Sequence, residues 1–214
     1  MEYAFHIYNK LAADGVAMSL DRLLSMPQTS KNKKTRGAGT RSPQFQQEKN
    51  AKKIENEQPP VIVCVGSDLA IGDSLGPITG SMLKYKTQGL NAFLYGTLGA
   101  PVTAKEIKYM RDFLRETHPK SPILAIDAAV GEKGDIGLIK ISDAPLLPGA
   151  GANKKLGAIG DISVMGIVAE KSVSNYGLLN STRLNLVYTM AEILSEALST
   201  LLWERCAAQS RKNA

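Results

Sequence analysis

The chain has 214 residues, of which 43% are hydrophobic, 21% charged and 6% aromatic, with a formal net charge of +6. That is enough for one good-sized domain plus an extra segment, and the apolar share suits a buried core. The two cysteines, Cys64 and Cys206, exclude a disulfide framework or a zinc cluster, and no apolar run has membrane-spanning length. The N-terminus, MEYAFHIYNKLAADG, is too mixed in polarity for a signal peptide. These features point to a soluble protein of a reducing compartment, the cytoplasm, with no membrane partner.

In chain order, residues 1–60 read as a segment outside the main domain, with a short amphipathic helix around Ala17–Leu24. Gln28–Pro60 holds eight basic and three acidic residues, so +5 of the +6 charge sits there. Poor in large apolar residues, this stretch reads as a disordered linker. A basic linker can hold nucleic acid weakly, and solvation alone is the plainer reading. Val61–Val65 is a short, mostly β-branched run, expected to be a strand buried on both faces of a parallel sheet. A polar loop with Asp68 and Asp73 follows, then a helix over Leu75–Thr87. A strand at Ala92–Tyr95 ends in the small-residue loop Gly96–Pro101, which contains Gly99. Thr103 is expected to cap a helix running to Thr117, with Ile107, Met110, Phe113 and Leu114 on its apolar face. The third strand, Ile123–Ile126, is expected to end at Asp127; a turn at Gly131–Gly134 and a strand at Gly137–Ser142 come next. The long Gly- and Pro-rich loop Asp143–Asp161, a strand at Ile162–Ala169 and a helix over Thr182–Arg205 complete the pattern. Strands alternating with helices predict an α/β fold, a three-layer α/β/α sandwich on a mainly parallel sheet spanning residues 61–206, with 207–214 as a tail.

Asp73 leaves the first strand and Asp127 the third; if these strands are neighbours, both carboxylates face one crevice at the C-terminal edge of the sheet, where such folds carry chemistry. Peptide hydrolysis by an acid pair needs one carboxylate ionised, to deprotonate water, and one protonated, to donate. A helix start favours an ionised Asp73, and apolar flanks Ile126 and Ala128 would raise the pKa of Asp127. A capping role for each carboxylate fits the spacing equally well. Other chemistries lack parts. His6 and His118 do not follow core strands, so a Ser/His/Asp or Cys/His arrangement has no base and a His-bound metal site no ligands. Mid-strand Cys64 reads as an inert buried thiol. Gly66–Asp73 is neither a P-loop nor a GxGxxG loop, and PGAGANKK at 148–155 is a weak candidate for an anion cradle. No cofactor is expected.

The ordered motifs GSDLAIGDSLGP, YGTLGAPV, AIDAAVG, ISDAPLLPGAGANKKL, GDISVMGIV and STRLNLVYTMAEIL resemble the YyaC family of sporulation proteins, over about 60–202. That family is similar to the germination protease acting on small acid-soluble spore proteins, and more distantly to hydrogenase maturation proteases. The resemblance implies a phosphorylase/hydrolase-like fold and an aspartate-pair peptidase with a protein or peptide substrate, small acid-soluble spore proteins among the candidates, in the cytoplasm or forespore. The acidic residue of the D-x-LGP motif falls on Asp73 and the Asp of the AIDA motif on Asp127. In the hydrogenase maturation proteases these positions resemble metal-binding carboxylates joined by a downstream histidine; Ala158–Met165 holds no histidine, so no metal is expected. Ser67 and Asp68 replace an Asn and an uncharged residue, adding a carboxylate that could raise a neighbour's pKa. The reading therefore makes Asp73 the general base and Asp127 the acid, reversible between the two, with Asp68, Gly99, Asn153 and Lys154 lining the substrate cleft. Asp143 reads as a turn residue. Residues 1–60 fit a pro-segment or a tether. The rival reading is a non-catalytic regulatory or binding protein that retains the protease fold.

Overall fold

The computed structural model describes residues 1–26, 58–90, 92–149, 156–171 and 182–212. The basic linker lies almost wholly outside these residues, as do Asn153 and Lys154. Six strands form one sheet: β1 (Glu2–His6), β2 (Val61–Cys64), β3 (Phe93–Tyr95), β4 (Ile123–Gly131), β5 (Leu138–Ser142) and β6 (Ile162–Glu170). Their order is β1-β5-β6-β4-β2-β3. Strands β6, β4, β2 and β3 are mutually parallel, while β5 runs antiparallel to both β6 and β1. Helices α1 (Ala12–Ser25), α2 (Leu75–Lys86) and α4 (Leu184–Lys212) share one hydrophobic cluster on one face, and α3 (Ile107–Thr117) packs in a second cluster on the other. This is the expected α/β/α sandwich.

Strand β2 is buried along its whole length, which its run of Val, Ile and Cys requires. Its alternation sorts the two layers. Ile62 and Cys64 enter the cluster of α1, α2 and α4, whereas Val61 and Val63 enter that of α3. Buried Leu146 and Ile159, from the long loop, join α3 on the second face and are tied by reciprocal 2.9 Å backbone hydrogen bonds.

Four boundaries differ from the sequence expectation. Strand β4 does not end at Asp127: its ladder with β6 continues to Gly131, past an irregularity at Ala129–Val130. Helix α3 begins at Ile107, because Thr103 and Glu106 close a separate turn in which the Glu106 carboxylate accepts the Thr103 N–H at 3.0 Å. Met1–Met26 supplies the edge strand β1 and helix α1, whose buried face (Val16, Leu20, Leu23, Leu24) belongs to the main core. The amphipathic pattern around Ala17–Leu24 is thus the core-facing half of a longer helix. Helix α4 runs to Lys212, through the stretch read as a tail.

Glycines set how closely α2 meets the sheet. A Cβ on Gly76 would lie 2.0 Å from the Val65 carbonyl oxygen, and one on Gly80 2.0 Å from that of Gly96. Gly96, at φ +89°, would place a Cβ 1.8 Å from the Cys64 oxygen. Left-handed backbone and missing space both exclude a side chain there. Gly99, by contrast, has open space around its Cβ direction. Gly96→Ala should therefore lower stability by about 2–4 kcal/mol in urea unfolding, with Gly99→Ala within about 0.5 kcal/mol of the parent.

Candidate active site

The close approach of α2 delivers Asp73. The chain leaves β2 at Gly66, whose N–H donates to the Val102 carbonyl at 3.0 Å, and then loops back. Ser67 N–H donates to the Asp73 carbonyl at 2.9 Å, and a Cβ on Gly66 would sit 2.1 Å from that same oxygen. A 3-10 turn, Ile71–Asp73, follows, closed by the Asp73 N–H to Ala70 carbonyl bond at 3.0 Å. The buried Ser74 hydroxyl donates to the Ile71 carbonyl at 2.7 Å, and α2 begins one residue later. Asp73 is thereby held half-buried, two residues before the helix, where the helix dipole favours negative charge.

Asp127 comes from β4. Alternation turns Leu124 and Ile126 towards α1, α2 and α4, and turns Ala125 and Asp127 towards the α3 layer, with Met165 of β6 opposite Asp127 in register. Its residue is 8% exposed. The Ala128 N–H donates to Asp127 Oδ1 at 2.8 Å. Burial pushes the carboxyl well above its ordinary value of 3.8, and the charge of Asp73 pushes it further; the Ala128 hydrogen bond opposes both. The upward shift anticipated for Asp127 is present. Two carboxyl groups thus differ in setting, one buried within β4 with its pKa raised, one half-exposed beside a helix start. Such a pair can take a proton from water with one member and give a proton with the other.

The other sequence candidates separate. Asp68 is exposed on the turn before Asp73, and it is not among the groups that raise Asp127; Asp73 fills that role. Gly99 is exposed, in a tight turn where Thr97 and Ala100 exchange two 3.1 Å backbone hydrogen bonds. Asn153 and Lys154 lie outside the described residues. Asp143 Oδ1 lies 2.5 Å from the Met1 ammonium, at the foot of β1. Cys64 is buried and its thiol pushed up to about 12, which makes it a poor nucleophile. His118, at the end of α3, shares a 2.8 Å hydrogen bond with the Tyr95 hydroxyl. Among the described residues no group of three His, Cys, Asp or Glu gathers as metal ligands would. What the sequence reading missed was the Ala128 amide, because the strand was ended at Asp127, four residues before its end at Gly131. The spacing of Gly66, Gly72, Gly76 and Gly80 was an available signal for the close loop–helix contact.

Comparison with known proteins gives three matches. A family model described as "Protein of unknown function (DUF1256)" matches residues 40–197. The "Uncharacterized protein YyaC" of Bacillus subtilis (strain 168) is 42% identical over 143 residues, which is 66% of this chain and 69% of the relative. Among solved structures, a NiFe hydrogenase maturation protease, HycI, from Thermococcus kodakarensis superposes with a TM-score of 0.45 at 17% identity, covering 70% of this chain and 98% of that one. No helix among the described residues is long and apolar enough to cross a membrane.

The raised Asp127 carboxyl makes stability pH-dependent. Between 3.8 and its higher folded value, the folded state holds a proton that the unfolded chain has released. Stability therefore falls as pH rises through that window, by up to about 1.4 kcal/mol per pH unit, and levels off above it. Asp127→Asn should flatten this slope and be more stable than the parent at neutral pH. Asp73→Asn should shorten the falling window from its upper end. Urea unfolding at a series of pH values from 4 to 8 reads both effects.

Proposed function

Since the chain belongs to the DUF1256 family of proteins of unknown function, we propose that its activity is peptide hydrolysis by the Asp73–Asp127 pair acting on water. The observation that carries this reading is the burial of Asp127 beside the charge of Asp73, both of which favour the protonated form of Asp127. The Asp73 carboxylate takes a proton from a water molecule as the water oxygen bonds to the peptide carbonyl carbon. The Asp127 carboxyl gives its proton to the carbonyl oxygen, forming a neutral tetrahedral adduct. As the C–N bond breaks, the adduct's hydroxyl proton returns to Asp127 and the proton held by Asp73 passes to the departing nitrogen. The products are a carboxylic acid and an amine, and both aspartates regain their starting states. The two roles exchange if the substrate approaches from the other side.

The substrate reading rests on the motif likeness to sporulation proteins and the germination protease. On that basis small acid-soluble spore proteins are the first substrates to try, and the forespore is the compartment. The purified protein, Asp127→Asn and Asp73→Asn should be incubated with these proteins and with a spore extract, and new peptides sought by mass spectrometry. Each variant should lose at least about 100-fold in turnover, the scale of one lost general acid or base. Wild-type activity should decline as pH rises past the point where Asp127 ionises. Cleavage that persists in both variants, or folded wild-type protein that cleaves nothing, would overturn the peptidase reading; the second outcome favours a binding protein on the same fold.

A further inference from the structure

The core-facing stripe of α3 contains a charge that the fold does not neutralise. Ile107 and Leu114 are buried against the sheet, and Met110 packs beside them. Arg111 stands four residues after Ile107 and three before Leu114, on the same side of the helix. Its guanidinium is half-buried under the strap that leads into β6. Nη1 makes one long hydrogen bond, 3.4 Å, to the Leu156 carbonyl. Nε is buried with no acceptor. None of the ion pairs among the described residues includes Arg111.

The strap is shaped to this side chain. Gly157 has φ +81°, and a Cβ there would lie 2.0 Å from Nη1 and 3.2 Å from Cζ. Its backbone therefore lies against the guanidinium where a larger residue could not. A guanidinium has five N–H donors in a planar fork, and here one is used, weakly. Placing a cation on an apolar stripe without a counter-charge costs free energy, and leaving a buried donor unpaired adds to that cost. Were Arg111 only a spacer, an apolar side chain of similar length would serve better.

From this unneutralised fork we infer that Arg111 is a binding site for an oxyanion, the carboxylate of a peptide or a phosphate group. The Nη1–Nη2 end of the fork matches the spacing of two oxygens on either group. The inference is independent of the aspartate chemistry, although both sites lie on the α3 side of the sheet.

The test is thermal unfolding of the full chain, wild type against Arg111→Met, in chloride buffer titrated at constant ionic strength. The three titrants are sodium phosphate, an acetylated tetrapeptide with a free C-terminal carboxylate, and the same peptide as its amide. Wild type should show a saturating rise in Tm, about 3–6 °C at tenfold the dissociation constant, with phosphate, with the peptide acid, or with both. Whichever of these acts identifies the source of the oxyanion, and the amide should have no effect. Arg111→Met should show no rise, and in chloride it should be at least as stable as wild type, which a purely structural latch would not be. No rise in wild type, an equal rise in Arg111→Met, or a peptide effect that survives amidation would overturn the inference. If Arg111→Met fails to fold, the wild-type Arg111 Nε–H resonance, assigned as the one missing in Arg111→Lys, replaces it. That signal should move on titration, and a stationary signal at saturating titrant would equally overturn the site.

Discussion

Everything about the candidate site depends on how near the first turn of α2 lies to the ends of β2 and β3. At Gly76, Gly80 and Gly96 backbone meets backbone with no room for a Cβ, and at Gly66 the loop folds onto the Asp73 carbonyl. This contact is steric before it is electrostatic. It fixes where Asp73 can be, since the chain between Gly66 and Leu75 is short and its hydrogen bonds to Val102, Ala70 and Ile71 leave little latitude. A bulkier residue at any of the four glycines would lift the helix and carry the carboxylate away from β4.

Asp127 is held by the opposite kind of constraint. It sits within a ladder, between the pairs Ile126–Val164 and Ala128–Gly166, so its position is set by the sheet and does not depend on a loop. A strand interior with Leu124, Ala125 and Ile126 beneath it is a poor place for a charge, and the Asp73 carboxylate makes it poorer. Both effects favour the protonated form. The fold thus spends stability to keep two carboxyl groups close, and perturbed carboxyls of this kind are common at sites that move protons.

The two faces of the sheet are built differently. One is covered by three helices whose apolar stripes interlock, with α1 and α4 in direct contact and the Arg205–Asp21 pair linking them at 2.9 Å. Among the described residues, the other has one helix and a strap tied down at Leu146 and Ile159. Asp127 and Arg111 both lie on the thinner side.

Local pattern determined much of this protein. The β-branched run at Val61–Val65 could only be a fully buried strand, the heptad-like spacing in 184–202 a helix, and the alternation of the two a layered α/β sheet. The direction in which Asp127 is shifted was also readable, because apolar flanking residues are local facts, whereas its pairing with Asp73 required β2 and β4 to be neighbours. Tertiary structure decided the rest. Whether Tyr3, Phe5 and Ile7 belonged to the domain depended on a partner strand more than 130 residues away, and register across that distance leaves no trace in a five-residue segment. The continuation of β4 through Asp127 was set by β6, and Asp68, equally acidic, was sorted out only by being turned to solvent. Arg111 drew no reading from the sequence; packing placed it against a glycine 46 positions later. Short-range preferences come from each residue's own backbone and neighbours; burial, register and missing counter-charges come from residues brought together by folding.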